Sequence, residues 1–182
     1  MILRAVPVTE SLPELERVNA LAKEAFPPEE YLAPDKLMEM SQQEGFDFLA
    51  LYDGKRFIGF MAVKTHRTLT YLFFLAVDPA WRSHGYGSRA IDTLKALYPG
   101  SQQVVNLEML DEAAANRQQR ERRRLFYLNN GYQPTGRFLS YLGVDYEILC
   151  MDKAFDFSLF QEMMSLMRIE GFHPQYFERI ER

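Results

Sequence analysis

The chain has 182 residues, of which 47% are hydrophobic, and its 21 Lys and Arg against 25 Asp and Glu give a formal net charge of −4. This length suits one compact domain with room for a terminal extension and a sizeable core. The acidic balance argues against a general nucleic-acid-binding protein, and no apolar run reaches membrane-spanning length. We therefore expect a soluble protein with no nucleic-acid or membrane partner.

The single cysteine and the three histidines carry little chemistry of their own. Cys150 cannot form an internal disulfide and lies in an apolar, strand-like run, so we expect a buried, inert thiol in a reducing, cytoplasmic compartment. The histidines have no metal-ligand spacing among themselves or with this cysteine. The sequence therefore predicts no metal site.

The N-terminal part of the chain begins with strand and helix patterns. Residues 2–8 alternate like a first strand, and Ser11-Leu-Pro-Glu14 resembles a capping box that opens an amphipathic helix. Pro27-Pro28 ends that helix, and residues 35–43 predict a second, shorter one.

Three consecutive strands are predicted next, over residues 47–52, 56–63 and 68–77. Asp53-Gly54 lies between the first two, and this dipeptide is a strong tight-turn signal. The first two strands should therefore form an antiparallel hairpin. The third ends in a continuous apolar run, which is typical of a buried strand.

A glycine-punctuated turn, Arg82-Ser-His-Gly85-Tyr-Gly87-Ser88, follows the third strand and leads into a helix that begins near Gly85. The first turn of a helix leaves backbone N–H groups without intrahelical partners, and the positive end of the helix dipole adds to their attraction for anions. The glycines allow a close approach, so the turn suits a diphosphate. Ordinary turn chemistry is the alternative interpretation of a bare Gly-x-Gly.

The second half of the chain continues with strands and helices and has no repeat or linker. It is predicted to contain a strand over 102–110, a helix over 117–129, a hairpin of strands over 138–141 and 146–151 around Gly143, and terminal helices over 157–169 and 174–180.

Arg-x-x-Gly-x-Gly after a strand ending in Ala-Val resembles the phosphate-binding motif of the GNAT superfamily of acetyl-CoA-dependent N-acetyltransferases, and the element order matches that fold. The resemblance covers residues 1–152 and implies an α/β (α+β) fold with a mixed, mostly antiparallel central sheet of about seven strands flanked by helices. Two parallel strands of this sheet are expected to splay apart. Residues 153–182 would form a helical extension that packs on the domain or on a second subunit, in a monomer or a homodimer.

The resemblance also implies which residues hold acetyl-CoA. The backbone from Arg82 to Ser88 would hold the diphosphate, with His84 and Tyr86 contributing backbone groups only. Backbone groups of the preceding strand would pair with the pantetheine amides, although a plain core strand is the alternative. The candidate coenzyme-binding residues are Leu75, Ala76, Val77, Arg82, Ser83, His84, Gly85, Tyr86, Gly87, Ser88, Asn116 and Arg123.

Two further residues are candidates for catalysis. Tyr127, within Leu125-Phe-Tyr127-Leu-Asn-Asn-Gly131-Tyr132, resembles the family's tyrosine near the thioester sulfur and would be the general acid; a tyrosine that merely packs is the alternative. Glu108 lies within a predicted strand, where an unpaired carboxylate is costly, and is the candidate base. Its alternative role is a salt bridge with an arginine, and water could carry the proton instead.

The segment from Asn116 to Arg124 carries five arginines. The family usually has an asparagine seven residues before the tyrosine, and this chain has Arg120 there. Asn116 lies eleven residues before the tyrosine, so its contact with the coenzyme would depart from the common pattern. One of Arg120, Arg123 or Arg124 could reach the coenzyme's 3′-phosphate, and a solvated arginine face is the alternative.

For the acceptor, Glu29 and Glu30 lie in the loop after the first helix and are candidates to bind an ammonium group, with a local dipole effect as the alternative. The resemblance thus implies an acetyl-CoA-dependent N-acetyltransferase that acts on a primary amine of a small molecule or peptide by direct transfer in a ternary complex. A non-catalytic coenzyme-A-binding sensor or interaction module is the alternative function.

Overall fold

The computed structural model describes residues 1–28 and 30–179, and the chain divides into two compact units. The first comprises Met1–Thr65 and Thr70–Gly100, and the second comprises His66–Leu69 and Ser101–Arg182. The described residues form eight strands and five α-helices, so the predicted mixed α/β class is confirmed. The proposed division at residue 152 stays a prediction.

The first unit contains strands β1 (Arg4–Pro7) and β2 (Phe46–Asp53), most of β3 (Arg56–His66) and β4 (Leu69–Val77), and helices α1 (Leu15–Ala25), α2 (Pro34–Met40) and α3 (Tyr86–Leu97). The strands lie side by side in chain order. Asp53 pairs with Arg56 across the turn, which confirms the hairpin predicted at Asp53-Gly54.

The core of this unit consists of apolar residues from the strands and from one stripe of each helix. Val18, Ile58, Phe60 and Ile91 are fully buried. Because α3 buries Ile91 and Leu94 against this core, its axis is fixed by packing, and its N-terminal end is held at the end of the turn that follows β4.

The predicted capping box at the start of α1 is wrong. The helix begins at Leu15, and the Ser11 hydroxyl lies 3.0 Å from the Thr9 hydroxyl without capping the helix. Glu14 accepts a hydrogen bond from the Tyr52 hydroxyl at 2.6 Å. In a capping box this carboxylate would bond to the backbone at the helix start. It instead bonds to a strand residue 38 positions away.

The second unit contains β5 (Gln102–Glu108), α4 (Arg117–Asn129), β6 (Gln133–Tyr141), β7 (Val144–Cys150), α5 (Phe157–Ser165) and β8 (Gln175–Glu178). Its strands lie in the order β5-β7-β6-β8, and each neighbouring pair is antiparallel. The helix predicted over residues 117–129 is observed with the same bounds.

The C-terminal segment differs from the all-helical tail that the sequence predicts. Residue 156 caps α5, as its carboxylate accepts the Leu159 N–H at 2.9 Å, but the second helix predicted over residues 174–180 is wrong. Residues Gln175–Glu178 form β8, which pairs with β6, and Phe177 stacks on Phe138 with ring centroids 5.5 Å apart. The strand forms because β6 supplies backbone partners and an aromatic surface that the local sequence does not reveal.

None of the helices in the described part of the chain is both long and apolar enough to cross a lipid bilayer.

Candidate functional site

The turn between β4 and α3 has an irregular backbone conformation. A short 3-10 helix, Pro79–Trp81, opens it, and the Asp78 carboxylate accepts the Ala80 N–H at 3.0 Å. Ser83 and Gly85 then adopt positive φ values of 63° and 78°. Positive-φ residues next to ordinary ones turn successive N–H groups toward a common point, which forms an anion-binding concavity.

Gly85 is required here for its conformation and not for space. A Cβ atom at this position would have no neighbour within 4 Å, whereas its φ lies in the left-handed region that favours glycine. Gly85 is also the N-cap of α3, and its carbonyl accepts the Arg89 N–H at 3.1 Å. The glycine that the sequence identifies therefore sets the angle at which the chain enters the helix.

The first turn of α3 presents open donors. Over residues 1–28 and 30–179, no backbone carbonyl accepts a hydrogen bond from the N–H groups of Tyr86, Gly87 or Ser88. These donors lie at the positive end of a helix of 12 residues. Unpaired N–H groups and the helix dipole together can bind a phosphate group.

Arg82 is engaged with protein groups and does not project freely. Its Nε donates to the Val77 carbonyl at 2.9 Å, and its two terminal nitrogens donate to the Glu24 carboxylate at 2.8 and 2.5 Å. The hydrogen bonds between Arg82 and Glu24 raise the pKa of Arg82 and lower that of Glu24. The side chain thus joins the end of β4 to α1, and no local sequence pattern indicates this contact because Glu24 lies 58 residues away.

The side chains of His84 and Tyr86 are each hydrogen-bonded to another protein group. The His84 ring donates from Nδ1 to the Arg82 carbonyl at 2.6 Å, and the Tyr86 ring is buried with its hydroxyl donating to Asp53. Both contacts are compatible with a backbone-only role. The assignment of residues 82–88 to the coenzyme stays a prediction.

The end of β4 approaches β3 closely. A Cβ atom at Gly59 would lie 2.0 Å from the Ala76 carbonyl oxygen, so only glycine fits there. Asp78 donates its N–H to Ile58, and the Val77 carbonyl accepts from Arg82. Pairing of residues 75–77 with pantetheine, and the predicted splay beside them, stay predictions.

Of the two acceptor candidates, Glu29 lies outside the described residues. Glu30 forms part of a turn, where its backbone N–H donates to the Pro27 carbonyl at 3.0 Å.

In the second unit, Tyr127 is a buried residue of α4 with 6% of its surface exposed. Its ring makes edge contacts with Phe126 and with Tyr132, the latter at 5.2 Å between centroids. Burial raises the pKa of Tyr127 to about 12, and the nearby Arg123 charge acts in the opposite direction. The phenol therefore keeps its proton at neutral pH, as a general acid must.

Glu108 is at the centre of an ion-pair cluster. Its carboxylate lies 3.2 Å from an Arg120 nitrogen and 3.7 Å from an Arg123 nitrogen, and it accepts from the Asn116 amide at 3.3 Å. Only 7% of the Glu108 side chain is exposed. The salt bridge weighed as the alternative for Glu108 is thus observed, and its role as base stays a prediction.

Asn116 and the arginines of α4 are held by neighbours in the second unit. The Asn116 amide oxygen accepts from Arg120 Nε at 2.8 Å, and Arg120 also donates to the Met109 carbonyl at 2.9 Å. Arg124 makes a two-bond pair with Glu147 at 2.8 and 3.1 Å. A contact of Asn116 or Arg123 with the coenzyme would have to form in addition to these existing contacts, or replace them.

Cys150 is buried, and desolvation raises the pKa of its thiol to about 11. It therefore stays protonated at neutral pH and does not act as a nucleophile without activation. The described residues contain no group of three or more His, Cys, Asp or Glu side chains that could hold a metal ion.

Solved structures with this architecture are similar to the chain. A putative acetyltransferase of the GNAT family from Bacteroides thetaiotaomicron is 23% identical, with a TM-score of 0.69 over 87% of this chain and 94% of the other. An aminoglycoside 6'-N-acetyltransferase in complex with coenzyme A is 18% identical, with a TM-score of 0.61 over 81% and 95%. The ribosomal-protein-S18-alanine N-acetyltransferase from Escherichia coli is 15% identical, with a TM-score of 0.58 over 82% and 93%. These likenesses confirm the predicted fold.

No curated protein has a significant sequence match to the chain. The sequence model of the Acetyltransferase (GNAT) family matches residues 14–131, which include both the turn before α3 and the tyrosine of α4. The chain therefore belongs to the GNAT family of acetyltransferases and is an enzyme that uses acetyl-CoA for acetyl transfer.

Proposed function

We propose that the enzyme transfers the acetyl group of acetyl-CoA directly to a primary amine of a small molecule or peptide, within a ternary complex. The observation that carries this proposal is the turn over residues 83–88, with its two positive φ values and its unpaired N–H groups. A diphosphate is an acceptor of several hydrogen bonds and carries the charge that this helix end attracts.

Binding of the donor begins with the diphosphate on the backbone of residues 82–88. Backbone groups of Leu75, Ala76 and Val77 pair with the pantetheine amides, as an added strand would. The N–H groups near Val77 then polarise the thioester carbonyl and stabilise the oxyanion that forms on attack.

Tyr127 acts as the general acid. When the amine attacks the thioester carbon, the C–S bond breaks and the sulfur leaves as a thiolate. The buried phenol, whose pKa is raised to about 12, gives its proton to that sulfur. The attacking nitrogen, which is positively charged once the C–N bond has formed, loses a proton to solvent, and the phenolate takes a proton back from solvent before the next turnover.

The amine must lose a proton, since a primary amine with an unperturbed pKa of about 10 is mostly protonated at neutral pH. We assign this step to Glu108, with ordered water as the alternative route. For Glu108 to accept the proton, the amine must approach a carboxylate that already contacts Arg120 and Arg123. Glu29 and Glu30 are assigned to bind the acceptor's positive charge.

The test is a turnover assay that measures release of coenzyme A thiol with a panel of polyamines, aminoglycosides, amino acids and peptide N-termini. Calorimetry with coenzyme A runs in parallel. We expect a saturable heat of binding and turnover with one class of amine. Binding without turnover on any amine would favour the sensor, and the absence of binding would overturn the proposal.

A further inference from the structure

The first turn of α3 is tied to the β2–β3 hairpin by one carboxylate. Asp53, the last residue of β2, accepts from the Tyr86 hydroxyl at 2.8 Å and from the two terminal nitrogens of Arg89 at 3.0 and 3.1 Å. These three bonds join two residues of α3, three positions apart, to a single side chain of the β2–β3 hairpin. All three residues belong to the first unit.

Three other contacts hold the same residues. Arg89 Nε donates to the Met1 carbonyl at 3.0 Å, and its guanidinium lies 4.9 Å from the centre of the Tyr86 ring. The Tyr86 ring is 8% exposed and makes an edge contact with Trp81, which lies in the turn itself. A rotation of α3 about its axis, or a shift along it, would break several of these contacts together.

We propose that Asp53, Tyr86 and Arg89 are positioning residues for the coenzyme: they hold the first turn of α3 so that the N–H groups of residues 86–88 stay aimed at the diphosphate. This inference rests on the proposed function. None of the three side chains needs to touch the anion. They act through the backbone that carries the donors, because a misplacement of about 1 Å is enough to weaken a preorganised site.

Because Asp53 is charged, the direction in which coenzyme affinity changes when the charge is removed tests the inference. A negative charge near a diphosphate repels it, so by simple electrostatics its removal tightens coenzyme binding. Positioning predicts the opposite result. The hydrogen bonds from Arg89 and Tyr86 lower the pKa of Asp53 to about 2, so the carboxylate is ionised throughout the working pH range and the comparison holds there.

The experiment compares two acetyl donors, acetyl-CoA and S-acetyl-pantetheine, because only the first carries the diphosphate. For Asp53→Asn we expect the KM for acetyl-CoA to rise about 10-fold, as for loss of a charged hydrogen bond, with kcat within about twofold. The kcat/KM for S-acetyl-pantetheine should not change. A merely structural role would lower activity with both donors.

Asp92→Asn is the matched control, since Asp92 is an exposed carboxylate of the same helix that pairs with Lys95 at 3.8 Å. We expect it to leave the KM for acetyl-CoA unchanged or slightly lower. Trp81, the single tryptophan of the chain, gives a direct reading of coenzyme binding by fluorescence. Tyr86→Phe keeps the ring and removes one bond, and it carries the test if Asp53→Asn does not fold.

An unchanged or lower KM for acetyl-CoA in both variants would overturn the inference and leave the proposed function standing. Equal losses with the two donors would also overturn it. If the unaltered enzyme binds no coenzyme A, the proposed function itself fails, and that outcome is seen before any variant is made.

Discussion

The turn before α3 and the cluster around Glu108 use polar groups in opposite ways. Within the described residues, the turn leaves the N–H groups of residues 86–88 without backbone acceptors, and the bonds from Tyr86 and Arg89 to Asp53 hold this part of the backbone in place. The cluster pairs a buried carboxylate with two arginines and an amide. Unpaired donors indicate a place for a ligand, whereas paired charges in a buried region stabilise the folded chain or must be displaced to act.

The largest effect is expected from breaking the paired cluster. Glu108→Gln leaves Arg120 and Arg123 largely buried without their carboxylate, which should lower the free energy of unfolding by about 3 kcal/mol. Chemical denaturation measures this. Glu121→Gln is the control, because Glu121 makes an exposed pair with Arg117 four residues earlier and should cost about 0.5 kcal/mol or less. Equal stabilities of the two variants would contradict the structural role of the cluster.

Tyr127→Phe should lower kcat about 100-fold with little change in coenzyme affinity, because it removes the proton donor and keeps the ring contacts. Steady-state kinetics and calorimetry measure the two quantities. Since burial raises the pKa of Tyr127 to about 12, the rate of the unaltered enzyme should show no fall from its ionisation between pH 7 and 10. Unchanged kcat in the variant would assign the tyrosine to packing alone.

Gly85→Ala tests whether the conformation of the turn before α3 is needed for coenzyme binding. The new Cβ has open space but an unfavourable φ, so the turn must relax at a cost of about 1 kcal/mol. We expect coenzyme affinity to fall about fivefold, measured by Trp81 fluorescence, with a small loss of stability. Gly143→Ala, at a φ of 77° in the turn between β6 and β7, is the control that should lose stability but not affinity.

The smallest effect is expected at Tyr132, whose hydroxyl is buried and has no hydrogen-bond partner within the described residues. Tyr132→Phe removes that unsatisfied group and should stabilise the fold by about 1 kcal/mol, seen as a higher Tm. Unfolding of the variant at alkaline pH should also begin at a higher pH than that of the unaltered protein. Burial raises the pKa of the Tyr132 phenol well above its ordinary value, so ionisation of this group favours the unfolded state. A lower Tm would show that the hydroxyl has a partner.

Local patterns predicted the parts of the fold that local physics determines. Helix α4 was predicted with its observed bounds, and the turn at Gly85 was predicted from glycine spacing before an apolar helix. The strand β8 was predicted as a helix, because a four-residue strand forms only when another strand pairs with it.

The partners of charged residues could not be read from the sequence. Burial of Glu108 requires a partner, so a salt bridge was foreseen, but the chain offers five arginines within nine residues. Asp53 looked like turn chemistry alone, and its bond to Arg89 spans 36 positions. Such ties depend on the packing of whole elements, which no short window of sequence contains.

The four residues of β8 have a consequence for any shortened form of the enzyme. Strand β6 pairs with β7 on one side and with β8 on the other, so residues 138–140 have paired neighbours on both sides. A chain ending at residue 152 would bare a longer strand whose N–H and C=O groups invite pairing with another molecule. Truncation of the C-terminal segment should thus promote edge-to-edge aggregation even where the coenzyme turn is intact.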